Sequence, residues 1–208
     1  MDVIHIPKHF AEHDLARLQA LVRVHNFATL VSAHHGDIQV SHLPFLLDAE
    51  GKILRAHMAR ANPQWRTFSP EREVVVIFHG PHHYVSPAWY ESHPSVPTWN
   101  YAVVHAQGRP TLMEGGEQLA ALVRELVTRH EAASPEPWKM DLPPDYQDKM
   151  LSGIVGFEIE ITRLEGKFKL SQNRPESDRP LVIEALERLG SDDALGVAAL
   201  MRENLAKR

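Results

Sequence analysis

The feature that most limits what this 208-residue chain can fold into is the spacing of its β-prone runs, which in the first half are short and joined by turn chemistry. Residues 27–33 form one such run, His34-His35-Gly36-Asp37 follow as a turn, and 38–47 resumes an apolar run that Pro44 places at an edge or a kink. That pattern predicts a hairpin. A second turn over 48–51 leads into 53–58, and 59–68 is compatible with a helix capped by Asn62 with Pro63 as its first residue. Residues 74–78 read as a buried strand, Gly80 and Pro81 as a turn, and Pro87, Pro94 and Pro97 as punctuation of an aromatic loop region feeding a strand over 101–113. Residues 156–164 form a late strand whose partners must lie upstream. Helical periodicity covers 12–25, 117–130, 180–189 and 194–206, while the prolines of 134–144 mark a surface connection. The regular strand-helix alternation of a doubly wound sheet is absent, so the expected fold is mainly β with α, an α+β class: a small antiparallel barrel or sheet with flanking helices.

Composition bounds the function. At 43% hydrophobic and 24% charged residues the chain is expected to form one globular domain over 1–208, with a C-terminal helical extension from about 176. Twenty-two basic against 27 acidic residues give a net charge of −5, which offers no general attraction to nucleic acid or to an anionic membrane. No run of about 18 apolar residues is present, and the opening lacks the pattern of a signal peptide, so a cytoplasmic location without membrane association is expected. Cysteine is absent, which removes thiolate chemistry and disulfides from consideration.

The 14 histidines invite a metal reading. Their one dense cluster, His79, His82 and His83, has no HExxH or acidic partner motif beside it, and no metal site is expected. GxSxG, GxGxxG and Walker patterns are also missing, and Ser86 in Val-Ser-Pro is a poor substitute for an elbow serine. No side chain is singled out as catalytic. Three segments carry chemistry instead. His57-Met58-Ala59-Arg60-Ala61-Asn62-Pro63-Gln64-Trp65 sets an arginine and an imidazole where a strand gives way to a helix start; this suits an anion and a flat ring against Trp65, or simply a capped helix with a core tryptophan. The run 163–174 alternates Lys167 and Lys169 with Phe168 and Leu170 and ends in Ser171, Gln172 and Asn173, a pattern that serves phosphate binding or protection of a sheet edge. The aromatic segment with Tyr84, Ser86, Trp89, Tyr90, Trp99 and Tyr101 suits a ligand, core packing or a dimer contact.

Taken together and in order, these segments resemble the PaiB-like family of FMN-binding negative transcriptional regulators. The likeness rests on residues 57–65, on Gly80-Pro81-His82-His83-Tyr84-Val85-Ser86-Pro87-Ala88-Trp89-Tyr90, on Val96-Pro97-Thr98-Trp99-Asn100-Tyr101, on 154–159 and on 167–174, and it spans about residues 5–190. The resemblance implies an FMN-binding split β-barrel, homodimeric, related to pyridoxamine-phosphate oxidases and flavin reductases, with FMN at the subunit interface. It implies a cofactor site at Ser41, His42 and Leu43 beside the isoalloxazine, at His57, Met58, Ala59, Arg60, Asn62, Gln64 and Trp65, at Trp99 and Asn100, and at Lys167, Lys169, Ser171, Gln172 and Asn173. Within that set Arg60 with Lys167 or Lys169 would neutralise the phosphate. Two other functions stay open: a flavin-dependent oxidoreductase acting on a small substrate, and a haem-binding split barrel. Direct DNA contact has no support in the net charge, and no helix-turn-helix is recognisable.

Overall fold

The computed structural model describes residues 4–206. In chain order the elements are β1 (Ala11–Glu12), α1 (Leu15–Val24), β2 (Phe27–His34), β3 (Asp37–Pro44), β4 (Leu46–Leu47), β5 (Ile53–Ala59), β6 (Val74–Val85), β7 (Thr98–Leu112), α2 (Gly116–Glu131), α3 (Pro144–Ser152), β8 (Ile154–Lys169), α4 (Asp178–Leu189) and α5 (Asp192–Ala206). The strands form one sheet in the order β3-β2-β6-β7-β8-β5-β4, with β1 added on β8. The architecture is the expected α+β one. The chain divides into two compact units, one from residues 4–21, 78–105 and 165–206, the other from 22–77 and 106–164.

In the second of these units the β2–β3 hairpin pairs in unbroken register from Phe27↔Pro44 to His34↔Asp37. Its turn uses two left-handed residues, His35 at φ 51° and Gly36 at φ 91°, which match the twist of the flanking strands. β3 and β4 stand at opposite ends of the strand order yet are separated by Phe45 alone, so the sheet of this unit curls back on itself. Alternation along β5 turns Leu54, Ala56 and Met58 into the core, where the buried Phe157 ring meets Phe45 and Phe68 edge-on. Leu122 and Leu126 of α2 close a second apolar cluster over Leu46.

In the other unit the helices sit on the strands through glycines. A Cβ on Gly166 of β8 would stand 2.1 Å from the Leu18 side chain of α1, and one on Gly196 of α5 would stand 2.7 Å from Pro81 of β6. Val182, Ile183 and Leu186 of α4 and Val197 and Met201 of α5 are buried.

Several elements differ from the sequence reading. Gly80 and Pro81 do not turn: β6 runs through them to Val85. β2 accompanies β6 only over Val75–Ile77, so Pro81 falls where that flank of β6 carries no β2 hydrogen bonds and its missing N–H costs nothing there. β7 starts at Thr98 instead of 101, and β8 extends from Ile154 to Lys169. β8 has β7 on one side and β5, then β1, on the other, and Lys167 pairs with Ala11. Edge protection therefore does not account for Lys167. The helix expected over 59–68 is a single 3-10 turn, Pro63–Thr67, and the proline-rich connection ends in a helix, α3, started by Pro143 and Pro144.

Candidate functional site

The residues singled out from the sequence fall into two sets, one in each unit. In the unit of residues 22–77 and 106–164, the end of β5 and the 3-10 turn after it form a closed polar network with β3. Asn62 caps the turn, its Oδ1 accepting from the Gln64 N–H at 3.0 Å, while its Nδ2 donates to Ser41 Oγ at 2.8 Å. Ser41 Oγ donates in turn to Gln64 Oε1 at 2.6 Å, and Gln64 Nε2 donates to Ser32 Oγ and to the Gln39 carbonyl, both at 3.1 Å. Gln64 is 1% exposed. A buried amide must find such partners, and this one has them all within the chain.

Arg60, just beyond β5, donates from Nε to the Ser152 carbonyl at 2.7 Å and from Nη2 to the Ile154 carbonyl at 2.8 Å. Its guanidinium thus ties α3 to the start of β8 and keeps one nitrogen, Nη1, uncommitted. Trp65 Nε1 donates to the Arg60 carbonyl at 3.0 Å. Arg60 and Trp65 together line a cavity of about 670 Å³ with parts of α2 and α3. Of the remaining residues in this set, Met58 is buried in the core and has only backbone to offer a ligand, His42 is exposed beside Thr29 Oγ1 at 3.1 Å, and Leu43 and Ala59 lie at strand ends. The buried Nδ1 of His57 has no partner, and burial holds this imidazole below its ordinary pKa, so the ring is neutral at pH 7.

The set in the other unit is arranged differently. Lys167 Nζ stands 5.6 Å from the centre of the Tyr101 ring and donates to the His5 carbonyl at 3.0 Å. Lys169, one pleat further on, donates to Thr98 Oγ1 and stands 5.9 Å from the Phe10 ring. No carboxylate among the described residues pairs with either ammonium. Burial, and then repulsion from Lys167, push the Lys169 pKa below its usual value. Across β7 and β6 the half-exposed Trp99 lies 6.2 Å from Tyr84, edge-on, and 6.3 Å from His82.

Behind these side chains Asn100, fully buried, donates from Nδ2 to Ser171 Oγ at 2.8 Å and leaves its Oδ1 without a donor. Ser171 itself adopts φ 64°, the left-handed region, at the bend that ends β8. Gln172 folds back on that bend, its Oε1 accepting from the Leu170 N–H at 2.7 Å and its Nε2 donating to the Phe168 carbonyl at 2.5 Å. Asn173 is exposed. Sequence reasoning missed the group that ties Arg174, just after this bend, to the 91–92 loop. Asp178, fully buried, accepts from the N–H groups of Glu91 and Ser92 at 3.0 and 3.1 Å and from both Nε and Nη2 of Arg174 at 3.1 and 2.7 Å. Burial by itself would raise its pKa, but these donors hold the carboxyl below the usual carboxylate range. Arg174 stacks over Tyr90 at 4.0 Å. The i, i+4 spacing of Arg174 and Asp178 was the available signal, but nothing local announced the loop N–H groups they capture.

As a test of fit, a phosphate-bearing flavin needs cations not held in ion pairs, ring faces and hydrogen-bonding edges, and the β6–β8 face supplies all three with Lys167, Lys169, Trp99 and the 171–173 bend. Among the described residues no group of three or more His, Asp or Glu side chains could hold a metal ion, and no helix is long and apolar enough to cross a membrane.

The fold is that of the split-barrel flavoproteins. It is shared at TM-scores of 0.63 and 0.57 with the flavocytochrome Anf3 of Azotobacter vinelandii and an FAD and heme binding protein of Mycobacterium smegmatis. The first match has 15% identity over 81% of this chain and 74% of that one, the second 15% over 77% and 73%. Residues 4–163 match the family described as "Putative FMN-binding domain", and the chain is 36% identical to the protease synthase and sporulation protein PAI 2 of Bacillus subtilis, over 99% of this chain and 100% of that one. It is also 36% identical to the uncharacterized protein AN0679 of Emericella nidulans, over 93% and 94% of the two chains. The chain belongs to this FMN-binding family, as the sequence motifs implied.

Proposed function

We propose that FMN lies on the β6–β8 face with its phosphate on Lys167 and Lys169 and its ring system near Trp99, and that the bound protein acts as a homodimeric regulator in the cytoplasm. The observation that carries the placement is the pair of ammonium groups on one strand face, neither of them held in an ion pair among the described residues, with Lys169 depressed in pKa by burial and by Lys167. A dianionic phosphate relieves that repulsion and gains charge-assisted hydrogen bonds from both. The 171–173 bend then offers the polar edge for the ribityl chain, and Ser41, His42, Leu43 and Arg60 stay flavin-contact candidates on the family resemblance alone. Bound flavin would supply reversible electron and hydride chemistry, which lets occupancy or redox state be the signal.

Regulation is favoured by the family likeness, and the Bacillus subtilis relative carries a name tied to protease synthesis and sporulation. A net charge of −5 points to action through a partner protein in preference to direct DNA contact. The test is an FMN titration of the purified protein followed by flavin fluorescence. Wild type is expected to quench the flavin at a one-to-one ratio per chain, and Lys167→Ala/Lys169→Ala to lose about 100-fold in affinity, two charge-assisted contacts at roughly tenfold each. Unchanged affinity in a folded double variant would remove the phosphate from this face. Bleaching by NADH or NADPH with a small acceptor present would move the reading toward an oxidoreductase.

A further inference from the structure

We infer that the cavity beside Arg60 is a binding site for the oxyanion of a small acid, with Arg124 and the uncommitted Nη1 of Arg60 as its cationic groups. Its cations are different from the lysine pair assigned to the flavin phosphate. The cavity, about 670 Å³, falls in the range of about 300–1,000 Å³ that encloses small molecules. Trp65, Met113 and Leu151 give it an apolar wall for the body of such a ligand.

Three features give the cavity its positive character. Arg60 is immobilised by its bonds to the Ser152 and Ile154 carbonyls, so its remaining nitrogen is a preorganised donor. Arg124 lines the same space from α2, is exposed, and has no ion pair among the described residues. The third is the start of α2 itself. Gly115, at φ 104°, provides no side-chain cap, and a Cβ built on Gly115 or Gly116 would meet nothing within 4 Å. The first turn of this 16-residue helix therefore leaves its N–H groups open beside the cavity, adding partial positive charge to that of the two guanidiniums. Glu117 and Asp148 also line the cavity, but both are exposed and neither pairs with either arginine, so the arginine donors are free for a ligand.

The oxyanion could belong to a free carboxylic acid or to the phosphate end of FMN, and the test separates the two. Saturation-transfer NMR on the full chain uses benzoate as the probe and benzamide, its neutral counterpart, as the control. Benzoate is expected to give a signal several-fold above benzamide, falling by about fivefold or more in Arg124→Gln, an exposed substitution whose fold is checked by thermal melting, and partly restored in Arg124→Lys. Benzoate signal that survives FMN saturation identifies a separate acid site. Signal abolished by FMN but not by riboflavin, together with weaker FMN binding in Arg124→Gln, identifies the flavin phosphate as the oxyanion. No benzoate signal in wild type, or equal signals in wild type and Arg124→Gln, overturns the inference. Because the lysine pair is read by FMN titration of Lys167→Ala/Lys169→Ala, failure of that placement and failure of the cavity are told apart.

Discussion

The Ser41–Asn62–Gln64 network and the Lys167–Lys169 face come from motifs of equal prominence in the sequence, yet they are opposite in character. In the network every strong donor already has an acceptor inside the chain, and its centre, Gln64, is 1% exposed. On the lysine face two cations lie side by side against aromatic rings, with no ion pair among the described residues to hold either ammonium. Polar residues in a family motif thus differ in whether their hydrogen-bonding capacity is spent inside the chain, and only those with capacity left are available to a ligand.

That contrast can be broken experimentally. The largest expected effect is the 100-fold loss of FMN affinity in Lys167→Ala/Lys169→Ala, with a melting temperature close to wild type because neither ammonium holds a buried partner. Gln64→Leu should do the reverse. It takes from Ser41 Oγ its acceptor and from Ser32 Oγ and the Gln39 carbonyl a donor, and is expected to cost about 2–3 kcal/mol in urea unfolding, while a folded sample keeps FMN affinity within about twofold. A loss of FMN binding without a loss of stability in Gln64→Leu would erase the distinction.

Asp178→Asn tests the buried anchor that joins Arg174 to the 91–92 loop. Removing the charge while the Arg174 guanidinium and two loop N–H groups remain is expected to cost about 2 kcal/mol at neutral pH. The folded pKa of Asp178 is depressed, so its contribution is fully present above the usual carboxylate range and is lost as pH falls through the lower folded value. The stability gap between wild type and Asp178→Asn, measured by denaturant unfolding, should therefore be constant near neutrality and close in acid. The smallest effect concerns Lys169, whose lowered pKa sheds its proton earlier than an ordinary lysine as pH rises. FMN affinity should fall in that alkaline window in wild type and hold to higher pH in Lys169→Arg, where the charge does not titrate.

What was legible in the sequence was local. The hairpin turn at His35-Gly36, the Asn62-Pro63 helix start and the alternation of Lys167 and Lys169 about Phe168 follow from chemistry within a few residues, and all three appear in the structure. The passage of β6 through Gly80-Pro81 was not legible, since it depends on β2 ending its pairing at Ile77. Nor was the interior place of β8, which is set by β1 and β5, strands far from it in sequence. Asp178 was hidden in part for the same reason: two of its donors are N–H groups of a loop 86 and 87 residues away.

The most direct test of the central claim is the ratio of riboflavin to FMN dissociation constants, which isolates what the phosphate contributes, in wild type and in Lys167→Ala/Lys169→Ala. A phosphate seated on the two lysines predicts a large ratio in wild type, on the order of 100, collapsing toward one in the double variant. A ratio that stays large without the lysines would place the phosphate elsewhere and contradict the account.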